Sequence, residues 1–242
     1  MLNFKADLHI HSLASGHAYS SITELARAAA DKDLELIAIT DHGPEMPGSC
    51  HSYHFGNLKA LPDKIHRVKI ITGVEANIGP DGNLDLGSRF RNRLDFIAAG
   101  IHDDAIYVGD YKENCTKAII AAIESGTVDM ITHPVSNFNP VNIEKIARAA
   151  SKHQVILEIN ASSYAPGRSI DRGNLDQDIK LCQLAIDDPN LLLALNSDAH
   201  FHDLIGYIEP AREVVKKSGI SPERFINYSA DKFINYLKKN NK

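Results

Sequence analysis

Residues 5–42 read KADLHIHSLASGHAYSSITELARAAADKDLELIAITDH, and this stretch contains one complete unit of the fold. KADLHI and ELIAIT are apolar runs of strand length, and ITELARAAADKD between them carries apolar positions at helical spacing. Ser21 followed by Glu24 is the signature of a capping box at the start of that helix. A buried strand, a helix and a second buried strand predict a parallel pair joined by a crossover. The first strand runs into imidazoles: His9, His11 and, in the loop beyond, His17. Alternation along the strand predicts Asp7, His9 and His11 on one face, with Leu8 and Ile10 on the other. Two histidines so spaced can grip one ion, and a polar strand edge that happens to hold them explains a lone pair equally well.

The unit repeats. VKIITGVE, DFIAAGI, DMIT, QVILEIN and LLLALNS are further strand-like runs, separated by helical stretches such as NCTKAIIAAIESG, NIEKIARAASKH and NLDQDIKLCQLAI. Seven strands and no second block of different composition predict an α/β fold of one domain over residues 1–242, a closed or nearly closed seven-stranded barrel. An open doubly wound sheet is the alternative. NIGPDGNLDL holds a Pro-Asp-Gly turn and predicts a small excursion on the rim. Ser221 and Pro222 occupy the cap and first-turn positions expected of a helix start, and His66 and His153 read as helix-end residues.

Composition removes several classes of function. The net charge is -5 and the basic residues are scattered, so nothing tracks a polyanion. Cys50, Cys115 and Cys182 are odd in number and far apart, which argues against a disulfide framework or a thiolate zinc site. No signal-peptide pattern or membrane-length apolar run is present, so the expectation is a soluble, cytoplasmic protein without a membrane partner. Twelve histidines and no tryptophan are the unusual feature.

Followed to its C-terminal end, each strand delivers a polar group: His9 and His11, Asp41 and His42, Glu75, His102, His133, Glu158 and Asn160, then Asp198 and His200. In a parallel barrel the loops after the strands converge on one rim, and that rim holds the active site. Any one of these residues could be a satisfied polar group at a strand end; seven strand ends carrying them together point to a site.

With these residues in view, the sequence resembles the PHP (polymerase and histidinol phosphatase) metal-dependent hydrolases, through DLHIHS, TDHG, GVEAN, the His of GIH, THP and NSDAH, in order along nearly the whole chain. The extended forms DLHIHSLASGHAYS, AITDHGPEMP and GVEANI are similar to the YcdX-type bacterial phosphatases. That resemblance implies a distorted, TIM-like (β/α) barrel of seven strands with three zinc ions. It implies His9, His11, Glu75 and Asp198 on one ion, His17, His42 and His200 on a second, and His102 and His133 on a third, with Glu75 bridging the first and third. Seven imidazoles and two carboxylates suit zinc, with manganese or iron(II) as other occupants. Such a centre would lower the pKa of a shared water to about 7 and make hydroxide available for attack on phosphorus. The expected activity is hydrolysis of phosphomonoesters, with Glu75, Asp198, His200 and Asp41 as the catalytic set. No GxSxG, Walker or CxxxxxR motif offers a protein nucleophile.

Asp7 and Asp41 are candidates to orient imidazoles, and Arg168 is a candidate to fork phosphate oxygens. His51 and His54 imitate a metal pair in a loop and read as substrate-facing or surface groups, while His202 is the expected decoy. The expected partner is a small phosphorylated substrate, and a homo-oligomer is compatible with the sequence. The competing enzyme reading is a phosphodiesterase or exonuclease, which calls for a basic groove or aromatic platform; Tyr53, Phe55 and Tyr164 are too few and too scattered to form one. A noncatalytic metal module is disfavoured because structural zinc sites are closed and usually rich in thiolates.

Overall fold

The computed structural model describes residues 2–102, 105, 112–166 and 173–240. Its strands are β1 (Ala6–Ile10), β2 (Leu36–Ile39), β3 (Lys64–Ile65), β4 (Val68–Asn77), β5 (Phe96–Gly100), β6 (Met130–Ile131), β7 (Ile156–Asn160) and β8 (Leu192–Asn196). All but β3 run parallel in the order β1-β2-β4-β5-β6-β7-β8, and β3 forms an antiparallel hairpin with β4. The helices are α1 (Ile22–Asp31), α2 (Tyr53–Asn57), α3 (Ser88–Arg91), α4 (Lys112–Glu124), α5 (Ile143–His153), α6 (Leu175–Asp187), α7 (Arg212–Ser218) and α8 (Ala230–Lys239).

The sheet curls into a nearly closed barrel, and its seam lies between β8 and β1. Ile10 bridges to Ala199, the His11 N–H donates to the Ala199 carbonyl at 2.9 Å, and the Leu8 N–H donates to Asn196 Oδ1 at 3.0 Å. Asn227 stitches the same seam from below: its Nδ2 donates to the carbonyls of Ala6 at 3.0 Å and Leu195 at 2.7 Å. Side-chain amides thus supply hydrogen bonds that the incomplete ladder lacks.

Three apolar layers follow from the strand pattern. Residues from every parallel strand, including Leu8, Leu36, Ile71, Phe96, Met130, Ile156 and Ala194, fill the barrel interior, and Phe233, Tyr236 and Leu237 of α8 plug its N-terminal mouth. The Tyr236 hydroxyl donates to the carbonyls of Asp129 and Gln154, just ahead of β6 and β7. Outside, Leu25, Ala26 and Ala29 of α1 cover Ile37, Ile39 and Ile70. The alternate outward residues Val74, Ile97, Ile131, Leu157 and Leu193 are covered from α4, α5 and α6. The barrel is filled with hydrocarbon at one end, which leaves its C-terminal end for polar groups.

The capping box forms: Ser21 Oγ accepts from the Glu24 N–H at 3.3 Å while the Glu24 carboxylate accepts from the Ser21 N–H at 2.7 Å. The Pro-Asp-Gly excursion is a tight loop closed by an Ile78–Leu84 bridge. Three local expectations are corrected. His66 is not at a helix end; with Arg67 it forms the two-residue turn of the β3–β4 hairpin, both with positive φ (49° and 73°), the geometry that matches strand twist. Ser221 and Pro222 open only a three-residue 3₁₀ turn, because Phe225 turns extended to bury its ring against Phe4, and the terminal helix begins at Ala230.

The third correction concerns β1. Its register against β2 shifts between Asp7 and Ile10, a bulge that breaks the simple alternation. Leu8 packs inside the barrel and Ile10 packs outside against α1, so the two do not share a face.

Candidate metal centre

The β1 bulge turns His9 inward immediately above Leu8. Asp7 is released to the outside, where its carboxylate accepts from the Ser197 hydroxyl and from the Gly206 N–H at 2.9 Å. Asp7 therefore ties β1 to the segment after β8 and orients no imidazole.

Glu75 lies on the interior face of β4, fully buried. Its Oε2 is 3.2 Å from His9 Nε2, 3.5 Å from His11 Nε2 and 2.9 Å from His42 Nδ1. Its Oε1 is 3.2 Å from His102 Nε2 and 2.9 Å from His133 Nε2. Asp198 Oδ1 lies 3.6 Å from His9 Nε2, 3.3 Å from His11 Nε2 and 3.4 Å from His200 Nδ1. His17, the exposed member, brings its Nε2 to 3.1 Å from His200 Nε2 and stacks on His42 at 4.9 Å between centroids. The structure gathers all nine sequence-identified donors on one rim.

Hydrogen bonding does not satisfy this cluster. His9 Nε2, His11 Nε2, His42 Nδ1, Glu75 Oε2 and both ring nitrogens of His102 are buried without a hydrogen-bond partner. So many orphaned polar atoms at one point would cost several kcal/mol, and a divalent cation uses those lone pairs. Donor atoms of His9, His11 and Asp198, of His11, His42 and His200, of His9, Glu75 and His133, and of His42, Glu75 and His102 each fall within 4.8 Å of one another. The donor set is that of zinc and its borderline neighbours.

Protonation follows the surroundings. Burial pushes His11 well below the usual imidazole range, with His200 and His42 adding to it, and burial with the same two neighbours takes His17 to about 4. His9 and His133 move the other way: burial opposes their charge, but Glu158 and Glu75 outweigh it at His9 and Glu75 at His133, so these two would give up a proton on ligation, neutral imidazole being the ligating form. Burial opposes the Glu75 charge, but His9, His102 and His42 outweigh it and hold the carboxyl well below its ordinary value.

A further ring of groups fixes the ligands. Glu158, on the interior face of β7, takes His9 Nδ1 at 2.8 Å on Oε1 and the His133 N–H at 2.8 Å on Oε2, and Asn196 donates to it at 2.8 Å. This leaves His9 Nε2 facing Glu75. The sequence reading gave Glu158 no role; the available signal was a carboxylate on the inward face of the otherwise apolar run ILEIN. Ser15 was also missed. Its hydroxyl meets His11 Nδ1 at 3.0 Å, donates to Asp41 Oδ1 at 2.7 Å and accepts from the His42 N–H at 3.1 Å. Asp41 thus reaches His11 through Ser15 and touches no metal-facing atom. His54 Nε2 sits 3.2 Å from Asp41 Oδ2, so His54, half-buried, is tied to the back of the site. Asn160 and Ser162 hold Asp198 Oδ2 at 3.2 and 2.8 Å.

His133 (φ 29°) and Asp198 (φ 51°) both adopt positive φ at strand ends, strain that clusters at functional sites. Gly100 makes room for one of them: a Cβ there would lie 2.8 Å from the His133 ring and 2.3 Å from Thr132 Oγ1. His51 caps its own turn, His153 ends α5, and His202 bonds Ser20 at 3.0 Å. Arg168 lies outside the described residues. A cavity of about 570 Å³ opens over the cluster.

Comparison with known proteins gives a consistent picture. The PHP domain family model matches residues 7–165. A protein of Thermoanaerobacter sp. (strain X514) named "Probable phosphatase" is 42% identical over 234 residues, 96% of this chain and 94% of its own. "Probable phosphatase YcdX" of Escherichia coli O81 is 37% identical over 236 residues, 97% of this chain and 94% of its own. Among solved structures, histidinol phosphate phosphatase of Lactococcus lactis, complexed with zinc, L-histidinol and phosphate, superposes with a TM-score of 0.59 at 20% identity. That match covers 90% of this chain and 94% of the other.

Proposed function

The chain belongs to the PHP domain family, and from that premise we propose that it hydrolyses small phosphomonoesters at a centre of three zinc ions, with manganese or iron(II) as other occupants. The observation that carries this reading is Glu75, whose two oxygens face two different sets of imidazoles. His9, His11, Glu75 and Asp198 would hold one ion, His17, His42 and His200 a second, and His102 and His133 with the other Glu75 oxygen a third. Bound there, such ions supply Lewis acidity at a phosphoryl oxygen and a water acidified to about pKa 7.

The chain's own residues do the positioning. Glu158 accepts the His9 Nδ1 proton and Ser15 that of His11, so each Nε2 lone pair faces the cavity. Asp198 is pinned by Asn160 and Ser162 and is the more exposed of the two carboxylates among the nine donors. It is placed to orient the attacking water, with His200 Nδ1 beside it at 3.4 Å. Three divalent ions held there would outweigh the charges of Glu75 and Asp198 and make the cavity attractive to a phosphate dianion, although the protein as a whole is acidic. Among the described residues no helix is long and apolar enough to cross a membrane.

Elemental analysis of purified protein, with turnover of a phosphomonoester panel and of labelled single-stranded DNA, tests the reading. The expected result is close to three ions per chain, monoester turnover abolished by a strong chelator, and little DNA cleavage. Active protein with one ion or none overturns the trinuclear centre; steeply salt-sensitive DNA cleavage without monoesterase activity overturns the substrate class.

A further inference from the structure

We propose that the cavity carries an apolar subsite for the alcohol part of the ester, formed by Ile101, Ile119, Val135, Val141 and Phe138, and that it selects phosphomonoesters of apolar alkyl or aryl alcohols. The inference rests on the phosphatase reading and adds to it the class of leaving group.

The subsite adjoins the metal cluster on one side. Ile101 directly precedes His102 and Val135 follows His133 by two residues, and all five apolar side chains line the same cavity as those histidines. A group bound through phosphate near Glu75 and extending past His102 and His133 meets this wall. Ile119 reaches it from α4 and is 2% exposed, Val135 is 5% exposed, and Phe138 stands at the mouth with 43% of its surface open. Ile119 and Val135 back the wall from the core, and the half-buried Ile101 and Val141 with the exposed Phe138 ring make the surface that gains by covering hydrocarbon.

The wall is fixed in place. Asn137 Nδ2 donates to the Gly173 carbonyl at 2.7 Å, the Phe138 N–H donates to Ser136 Oγ at 3.1 Å, and the Asn142 N–H donates to Thr116 Oγ1 at 2.9 Å. The segment between β6 and α5 is thereby anchored to α4 and to the start of α6.

What the wall lacks points the same way. Among the described lining residues there is no lysine or arginine; Thr132, Asn160, Ser162 and Ser163 lie on the side of the metal donors, with Asn160 and Ser162 committed to Asp198, and between Val135 and Val141 the lining polar side chains are Ser136 and Asn139. On this stretch a sugar would surrender water from several hydroxyls for few partners, and the described lining offers no lysine or arginine to the further phosphates of a nucleotide. An alkyl or phenyl group has nothing polar to lose.

The n-alkyl phosphates from methyl to hexyl keep nearly the same leaving-group basicity while apolar length grows, so they isolate the subsite. Expected is a rise in kcat/KM of about fourfold per fully buried methylene until the wall is covered, with the same slope in competition by n-alkylphosphonates, which are not hydrolysed. Phe138→Ser, at an exposed position that does not threaten folding, and Val141→Asn should each flatten both slopes. Hydrolysis that is flat or falls with chain length overturns the subsite and leaves the phosphatase reading standing. Absence of hydrolysis at every length overturns the phosphatase reading instead; phosphonate binding that rises with length then still supports the subsite, and binding flat with length overturns it.

Discussion

At Glu75 a fully buried carboxylate sits in the barrel interior with no hydrogen bond on Oε2, so its charge depends on the imidazoles around it. Glu75→Gln keeps the shape and removes the charge that faces both halves of the cluster. Turnover should fall at least about a hundredfold and elemental analysis should show lost ions. His202→Gln, on a side chain bonded to Ser20 and apart from the cluster, should stay within a few fold of the parent in both assays. Unchanged metal content in Glu75→Gln would sink the ligand assignment. Glu158→Gln tests the positioning of His9: with a neutral acceptor at 2.8 Å, metal affinity should drop about 10–100-fold, read by competition with a chelating dye. The nine donors were legible in the sequence because each ends or follows a strand. Glu158 was legible as a polar strand end but its partner was not, and Ser15 was not legible at all, because the partners lie across the barrel or across a loop, at separations of 149 residues for His9 with Glu158 and 27 for His42 with Ser15.

Strands and helices were legible wherever local pattern and burial agree, as in α1 with its capping box or β7 with its inward and outward alternation. The departures come where a tertiary contact overrides the pattern. In β1 one extra residue lets Leu8 and His9 both face inward, so the strand supplies core at its base and a ligand directly above. Near the C-terminus, Phe225 interrupts the expected helix start to reach Phe4. The last helix then seals the barrel floor, where the Phe233 ring is fully buried and meets Phe96 at 5.2 Å. Phe233→Ala should therefore cost about 3–5 kcal/mol, measured by denaturant unfolding. A loss under 1 kcal/mol would mean that α8 does not plug the floor.

For the molecule as a whole, stability should depend on pH through Asp178 of α6. Burial pushes its carboxyl up to about 7; the Tyr164 hydroxyl that donates to it offsets part of this, and the Glu158 charge adds to it. Because the folded value lies above the ordinary 3.8, the folded state binds the extra proton. Its contribution is present in full below about pH 4 and is lost as pH rises through about 7. Asp178→Asn keeps an acceptor for Tyr164 and removes the titration. Its melting temperature relative to the parent should rise between pH 5 and pH 8. A difference that stays constant, or shrinks, would place Asp178 in contact with solvent or with a cation.

The seam between β1 and β8 also orders events in time. Its partners Leu8 and Asn196 are 188 residues apart, and the nine clustered donors run from His9 to His200. At ordinary elongation rates the first histidines emerge about 10–40 s before Asp198 and His200. During that interval the chain offers only fragments of the donor set and no ring to hold them. On the proposed reading, capture of ions by the full donor set therefore follows ring closure and waits for Asp198 and His200 to emerge.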